Sequence, residues 1–467
     1  MSRNNSYSYK NYKNYYKYIH RIFPYVQYIS YINYIRVSFS NINLHKNLQK
    51  LNLIFIIKII TKKIIKIIIS IFILNINKKK YIKKNIIISY ETKYLKDNYF
   101  FEIEQYFNDN NISYTKILIP YNTAFKLKVL NLSSNKTIIR LSTINNFWIE
   151  FKSIFTTIKF TFSLIVNKDL KTKDKIFLFN GFINEKTSSD FRIYYQIKNL
   201  VDKKEVKNIF LPFEGHIFER LICKNIKKNI FGFQIAPIFC GNLSVNNLQT
   251  HHLPNKLFPL SDYYKKKYEK IFLYHRFKIY SRGTSIKDKI YKSISFNAKK
   301  DINIILCPEG IYNEVYFFLN FASQKLIYNK KINFYLSLHP LIDIETINKF
   351  IKNNLNLNIT IIKNNISFNP LNTFSLFSGS SSVIKFTSKG YIPLYLDRNF
   401  DELNPLFDFK KFIPTVSDNI TLENSIQNFS KNFDKDKYIF QDKINEISDM
   451  IEPLNINLVK EELNIAN

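Results

Sequence analysis

The feature that most constrains the fold of this chain is an alternation of short apolar runs with polar intervals of helix length, which begins near residue 86. Such runs are typical of buried β-strands, and the intervals are long enough for crossover helices. The alternation predicts an α/β fold in which helices cover both faces of parallel sheets. The predicted strands are 86–89, 116–119, 176–179, 209–211, 230–233, 271–274, 302–306, 334–338, 359–362, 374–377 and 392–396.

The length of 467 residues favours two domains over a single core. Prolines and a lysine run interrupt the strand rhythm at residues 251–268, so the inter-domain connection is expected there. We predict two Rossmann-like halves in tandem and find no evident internal repeat. The expected parts are a basic, apolar N-terminal extension or set of peripheral helices (1–84), two Rossmann-like domains (85–262 and 263–425) and C-terminal helices (426–467).

Positive charge is concentrated at the N-terminus. The formal net charge is +33 at pH 7, and residues 1–90 contain 17 lysines and arginines but no aspartate or glutamate. This block suits an anionic membrane surface or nucleic acid, or it is a solvated surface whose lysine content follows from AT-rich codons. Nucleic acid is not expected as a partner, because no recognised binding motif accompanies the charge.

Two long apolar stretches predict helices. Residues 51–76 are interrupted by lysines, of which Lys58, Lys62 and Lys66 recur every four residues along one stripe of a helix. That pattern predicts a helix in a membrane interface or at a domain surface rather than one that spans a bilayer. Residues 147–166, which include the only tryptophan, predict a long buried helix.

The cysteines and the N-terminus indicate the cellular compartment in which the protein is expected. Cys223, Cys240 and Cys307 are separated in apolar surroundings without CxxC spacing, which favours buried thiols in a reducing compartment. The polar, tyrosine-rich N-terminus lacks the pattern of a signal peptide. We therefore expect a cytoplasmic protein. The basic N-terminal segment further suggests a peripheral position at the inner face of the cell membrane.

Several common catalytic motifs are missing from the sequence. It contains no GxGxxG, no GxxxxGK[ST] and no GxSxG, which excludes a dinucleotide fingerprint, a P-loop and a nucleophile elbow. His251 and His252 are adjacent rather than spaced along one helical face, so we interpret them as a surface feature and predict no metal site.

Two glutamates precede a glycine just after a predicted strand. Glu214 and Glu309 each stand in this context, and a carboxylate there can act as a general base for a hydroxyl group. The same position also suits a carboxylate that stabilises the start of the next helix, and the residues alone favour neither reading. Glu219 and Glu314 fall one turn further along and are expected to support the loops.

Two loops in the second half are candidates for binding an anion. His339 and Pro340 follow one predicted strand, and Gly379, Ser380, Ser381 and Ser382 follow another about forty residues further on. Proline biases the residue before it toward extended geometry, and a histidine held there can donate to a phosphate oxygen. Serine hydroxyls and backbone N–H groups add further donors. The two loops together predict a phosphate site.

The order of these motifs resembles GT-B bacterial sialyltransferases, polysialyltransferases and Kdo transferases, and related surface-polysaccharide proteins. The resemblance rests on Glu214-Gly215, Glu309-Gly310, His339-Pro340 and the serine loop, and covers about residues 86–429. It implies a GT-B-like fold whose two sheets face a central cleft, with the acceptor in the first domain and the nucleotide-sugar in the second. Phe213 stands where those sialyltransferases usually show a second acidic residue.

The resemblance also implies inverting, metal-independent transfer of a CMP-activated acidic sugar of the sialic acid or Kdo type. Glu214 then matches the general base, although Glu309 remains the alternative. His339, with Pro340 and Gly379, and Ser380 with Ser381 or Ser382 match the residues around the CMP phosphate. Glu309 and Gly310 match those near the base or ribose.

The expected partners are the nucleotide-sugar donor and a glycan or lipid-linked glycan acceptor of capsule or other surface-polysaccharide synthesis. No cofactor is expected. The alternatives are a GT-B enzyme that uses a UDP- or GDP-sugar, an epimerase-like reaction, and a non-catalytic glycan-assembly or nucleic-acid-binding protein.

Overall fold

The structure is a computed structural model, and it describes the greater part of the chain. The described residues are 18–19, 21–22, 53–72, 82–91, 100–120, 128–131, 136–143, 147–202, 205–237, 250–271, 278–279, 294–297, 300–323, 332–339, 342–354, 359–362, 371–397, 404–452 and 455–463.

Within the described ranges, the first sheet contains eight strands: β1 (Asn85–Tyr90), β2 (Tyr114–Ile119), β3 (Lys128–Asn131), β4 (Lys136–Arg140), β5 (Asn208–Pro212), β6 (Asn229–Phe233), β7 (Lys256–Phe258) and β8 (Lys278–Ile279). Their spatial order is β3-β4-β2-β1-β5-β6-β7-β8. All neighbours are parallel except β3 and β4. Apolar side chains on both faces of the central strands are buried, as expected for a parallel sheet between helices.

The helices of this half are α1 (Leu53–Ile71), α2 (Phe101–Asp109), α3 (Phe147–Val166), α4 (Thr172–Ile183), α5 (Glu185–Val201), α6 (Ile217–Asn225) and α7 (Asp262–Ile271), with a 3-10 turn at Thr250–His252. Helices α3, α4 and α5 pack against one another, and α1 lies against α3. Within the described residues, no helix is both long and apolar enough to cross a membrane.

The second sheet is wholly parallel and contains β9 (Ile302–Cys307), β10 (Ile332–Ser337), β11 (Thr360–Ile362), β12 (Thr373–Phe377), β13 (Ile392–Leu396) and β14 (Thr415–Val416). Their order is β11-β10-β9-β12-β13-β14. The accompanying helices are α8 (Tyr312–Ser323), α9 (Ile344–Asn354), α10 (Ser382–Ser388), α11 (Asn419–Ser448) and α12 (Ile456–Leu463), with a 3-10 turn at Phe407–Phe409.

Each sheet has one point at which the strand order reverses direction. In the first, β2 and β4 lie on one side of β1 and the strands from β5 onward lie on the other. In the second, β10 and β11 lie on one side of β9 and the strands from β12 onward lie on the other. A crevice forms beyond the carboxyl ends of the strands at such a switch point, and ligands of open α/β sheets bind there.

Most of the predicted strands coincide with or overlap these strands, and the predicted α/β class with two Rossmann-like sheets is confirmed. The prediction of a strand at 176–179 is wrong, because these residues lie in α4. Nearly the whole second half of α4 is buried, and a short apolar run in a buried helix has no periodicity to distinguish it from a strand. For the predicted strand at 271–274, Ile271 ends α7 and 272–274 lie outside the described residues.

The prediction of a buried helix at 147–166 is correct in its bounds but wrong about burial. Only one face of α3 is buried, while Trp148, Phe155 and Phe162 are each more than half exposed, at 61%, 58% and 65%. The helix at 51–76 is present as α1 and lies at the surface of the first half. Both helices therefore leave apolar side chains in contact with solvent.

One of the apolar clusters contains side chains from both halves. Phe213 of the first half and Cys307 of the second belong to the same cluster of buried side chains. Helix α7 also reaches the second half, where the Tyr263 hydroxyl hydrogen bonds with the carboxylate of Asp408. The predicted division at 262/263 falls at the start of α7, and the first sheet continues beyond it to β8. The division into domains stays a prediction.

Candidate functional site

The predicted phosphate residues follow three adjacent strands of the second sheet. Strand β9 lies between β10 and β12, and all three run parallel, so their carboxyl ends share one edge. Glu309 and Gly310 follow β9, His339 follows β10, and residues 379–382 follow β12. Pro340 lies outside the described residues. The loops after β9 and β12 meet at the switch point of this sheet.

Two glycines allow these loops to touch. A Cβ atom on Gly379 would lie 1.9 Å from Oε1 of Glu309, and one on Gly310 would lie 2.8 Å from Nδ1 of His339. Both distances are shorter than van der Waals contact, so each side chain packs directly on the backbone of the glycine it faces. The Glu309 carboxyl thus contacts the loop after β12, and Gly310 contacts an exposed imidazole ring.

Backbone hydrogen bonds fix the loop that carries Glu309. The buried carboxylate of Glu314, in the first turn of α8, accepts the N–H of Glu309 at 3.0 Å. The hydroxyl of Tyr312 accepts the N–H of Asp343 at 3.1 Å, which joins the start of α8 to the segment that follows His339. The loops after β9 and β10 are therefore held in a defined relation.

The serine loop is linked to β9 as well. The hydroxyls of Ser380 and Ser382 lie 2.8 Å apart. Ser382 also hydrogen bonds with the thiol of Cys307, the last residue of β9. Burial raises the pKa of that thiol, and the bond from Ser382 opposes the rise without reversing it. Cys307 is therefore a neutral thiol near pH 7. Ser381, the remaining serine of the loop, lies just before α10 and is partly exposed.

The loop that carries Glu214 follows β5, at the switch point of the first sheet. The buried carboxylate of Glu219, in the first turn of α6, accepts the N–H of Glu214 at 2.8 Å and the N–H of His216 at 2.9 Å. Gly215 has φ of 79°, in the left-handed region that favours glycine. Glu219 supports the loop, as the sequence predicts, while Glu214 remains partly exposed.

A histidine that the sequence reasoning did not select lies beside Glu214. Nε2 of His216 is 3.3 Å from Oε2 of Glu214. Burial lowers the pKa of His216, but the carboxyls of Glu219 and Glu214 outweigh that effect and hold the pKa above its usual value. Burial also raises the pKa of Glu219 to about 7. Glu214, His216 and Glu219 therefore form one group of electrostatically interacting side chains.

The Glu214 loop and the Glu309 loop share a short sequence pattern. Residues 214–219 and 309–314 both read Glu-Gly-x-x-x-Glu. The spacing places the second glutamate in the first turn of a helix, where it accepts the backbone N–H of the first. A search for that spacing after predicted strands finds both loops. The side-chain contact between Glu309 and Gly379 has no sequence signal, because it joins residues from different loops.

No protein-family model matches the sequence, and no curated protein matches it. Among solved structures, it resembles the apo structure of OtsA, a trehalose-6-phosphate synthase, with 8% identity and a TM-score of 0.44 over 82% of this chain and 100% of that one. It also resembles CalG4, the calicheamicin glycosyltransferase, with 6% identity and a TM-score of 0.44 over 82% of this chain and 100% of that one.

The wall teichoic acid polymerase TagF is a further similar structure, with 11% identity and a TM-score of 0.41 over 83% of this chain and 89% of that one. At these identities and TM-scores, the likenesses say nothing about reaction or substrate. The two-sheet α/β architecture rests instead on the strand order of the chain itself.

Proposed function

We propose that the protein is a GT-B glycosyltransferase of surface-polysaccharide biosynthesis, such as capsule synthesis. The observation that carries the proposal is the meeting of Glu309, Gly310, His339 and Gly379 at the carboxyl edge of the second sheet. A nucleotide in such a crevice finds polar groups from several strands at once. The donor is a nucleotide-sugar, and the acceptor is a glycan or lipid-linked glycan.

The donor in this proposal is a CMP-activated acidic sugar, and its phosphate lies between His339 and the serine loop. The exposed imidazole and the hydroxyls of Ser380, Ser381 and Ser382 supply the donors, and Glu309 accepts from a ribose hydroxyl. CMP is a monophosphate leaving group, so hydrogen bonds and a protonated histidine can stabilise its charge without a metal ion. The motif resemblance supports CMP over UDP and GDP.

The general base in this proposal is Glu214. Its carboxylate takes the proton of the acceptor hydroxyl as that oxygen bonds to the anomeric carbon, and the bond from this carbon to the phosphate oxygen breaks on the opposite face, so the configuration inverts. The adjacent His216 can then receive or return the proton. Glu309 suits this role less well, because its carboxyl packs against the backbone of Gly379.

Cytoplasmic location, peripheral to the inner face of the cell membrane, belongs to the same proposal. A lipid-linked acceptor would be met there, and the basic N-terminal segment favours anionic lipid.

Thermal unfolding with CMP, UDP and GDP tests the nucleotide assignment. CMP is expected to raise the melting temperature, because a ligand at 100 times its Kd stabilises the native state by about 2.7 kcal/mol. His339→Ala should reduce the shift, whereas His251→Ala, another exposed histidine, should not. A shift with UDP or GDP but not CMP would overturn the donor assignment. No shift with any nucleotide would overturn the transferase proposal.

A further inference from the structure

Helix α3 has one buried face and, opposite to it, an apolar face that is largely exposed. Ile149, Ser153, Thr157, Phe160 and Leu164 are buried and lie along one side of the helix. A second stripe, with side chains between 48% and 65% exposed, recurs every three to four residues on the opposite side. It consists of Trp148, Phe151, Phe155, Ile158, Phe162 and Ile165.

Helix α1 repeats this arrangement beside α3. Ile59 and Ser70 face the protein and are buried. An outward stripe, with side chains between 49% and 62% exposed, also recurs every three to four residues. It consists of Ile57, Ile60, Ile64, Ile68 and Ile71. Because α1 lies against α3, the two outward stripes are neighbours, and we call them together the α1/α3 face.

A polar network beneath this face holds both helices on α5. Lys66 of α1 pairs with Glu185, which also accepts from Arg192 at 2.9 Å. Arg192 in turn pairs with the buried carboxylate of Glu150 on α3 at 2.7 Å. Burial and the nearby Arg192 lower the pKa of Lys63, on the inner side of α1, to about 8. The α1/α3 face is thus fixed to the domain, with its apolar side directed outward.

The size of this face is typical of an interaction site. Its eleven side chains expose on the order of 1,000 Å² of apolar surface, compared with about 300–600 Å² for the largest patch of an ordinary monomer. An exposed apolar patch of this size marks an interaction site or promotes aggregation.

The exposed charges around the α1/α3 face identify the partner as anionic. Lys58, Lys62, Lys152 and Lys159 are exposed on the two helices. Helix α1 contains no acidic residue, and the only one in α3, Glu150, is buried. Helices that lie in the headgroup region of an anionic bilayer typically carry such a stripe of aromatic and aliphatic side chains flanked by lysines.

We propose that the α1/α3 face is a membrane-docking surface that inserts its apolar side chains into the interface of a bilayer containing anionic lipid. The two helices lie side by side in the plane of the membrane, and the four exposed lysines contact lipid phosphates. This surface belongs to the first half of the chain and does not depend on which reaction the protein catalyses.

The only tryptophan of the sequence provides the readout, because Trp148 lies on this face. The full-length protein is mixed with vesicles of phosphatidylglycerol and phosphatidylcholine, or of phosphatidylcholine alone. With the anionic vesicles, the emission of Trp148 should shift to shorter wavelength and be quenched by brominated lipid, and the protein should float with the vesicles. Raising the salt concentration should weaken the binding.

Matched variants distinguish binding through the α1/α3 face from nonspecific adsorption to vesicles. Phe155→Gln with Phe162→Gln changes two exposed side chains of the face and should weaken vesicle binding at least about tenfold. Ile420→Gln with Ile439→Gln changes two comparably exposed side chains of α11, at 64% and 55%, and should leave binding unchanged. Melting temperatures of both variants equal to that of the unsubstituted protein would show that the weaker binding is not due to unfolding.

Three results would overturn the proposal. One is absence of flotation with an unchanged Trp148 emission. Another is equal binding to neutral and anionic vesicles, which would remove the role of the lysines. The third is a blue-shifted Trp148 emission in the absence of lipid, together with self-association in sedimentation that increases with protein concentration. That result would assign the face to a second copy of the chain.

Discussion

The Glu214 loop and the Glu309 loop start from the same local structure. Each follows a parallel strand at a switch point, reads Glu-Gly-x-x-x-Glu, and is closed by a hydrogen bond from the N–H of the first glutamate to the carboxylate of the second, at 2.8 Å and 3.0 Å. The second glutamate is buried in both loops. Local sequence and helix-start chemistry account for this common part.

The loops differ in what the first glutamate contacts. The carboxyl of Glu214 lies 3.3 Å from the ring of His216, in the same loop. Glu309 reaches across to the backbone of Gly379, and Gly310 lies against the ring of His339. The first loop therefore holds an interacting glutamate–histidine pair, and the second is a junction of three loops. The same turn thus presents its first glutamate to different partners, depending on the neighbouring strands.

The largest expected effect is on turnover, and it distinguishes the roles of Glu214 and Glu309. Glu214→Gln should lower turnover by about 10²–10⁴, because loss of a general base has an effect of this size. The measurement is release of CMP from a CMP-activated acidic sugar in the presence of acceptor. Full activity of Glu214→Gln, together with an inactive Glu309→Gln enzyme that still binds CMP, would reverse the two roles.

The second prediction concerns the junction. Gly379→Ala places a Cβ atom 1.9 Å from the Glu309 carboxyl and should lower stability by about 1–3 kcal/mol, as overpacking does. Removal of that carboxyl in the double variant Glu309→Ala with Gly379→Ala should restore most of the loss. Denaturant unfolding of the four proteins gives the coupling energy. Additive losses in that cycle would show that the two residues do not touch.

The third prediction concerns the pH dependence of stability that arises from Glu219, the buried acid of the Glu214 loop. Because burial raises the pKa of Glu219 from 4.5 to about 7, the folded protein retains a proton that the unfolded chain has released. The free energy of unfolding should therefore fall as pH rises from about 4.5 to about 7, by about 1–3 kcal/mol. The raised pKa of His216 acts in the same direction, since its stabilisation is lost as pH rises.

Glu219→Gln should flatten this dependence, which urea unfolding at several pH values can measure. The Gln side chain keeps the size of the residue and an acceptor for the backbone N–H groups. An unchanged slope in this variant would mean that other groups cause the pH dependence.

The smallest expected effect compares the two glycines that follow the glutamates. Gly215→Ala should cost about 1–2 kcal/mol, because φ of 79° is unfavourable for a residue with a Cβ atom. Gly310→Ala should affect CMP binding more than stability, because its Cβ atom meets the His339 ring, which can rotate away. Melting temperature and CMP affinity measured on both variants test this difference, and a stronger loss of CMP affinity in Gly215→Ala would contradict it.

Local patterns predicted much of the fold. The apolar runs identified most strands of both sheets, and the motif spacing selected the three loops that meet at the second sheet. The run 176–179 was assigned wrongly because a buried helix and a buried strand are both apolar on all sides. The position of β9 between β10 and β12 depends on long-range pairing, which no local pattern specifies. The outward stripe of α3 was predicted as core, since sequence alone does not tell which apolar face meets protein.

The most direct test of the central claim is calorimetric titration of CMP into the Glu214→Gln and Glu309→Gln proteins. The proposed roles predict wild-type affinity for Glu214→Gln and at least about tenfold weaker binding for Glu309→Gln. Loss of CMP affinity in Glu214→Gln with wild-type binding by Glu309→Gln would place the nucleotide at the first sheet and contradict the account.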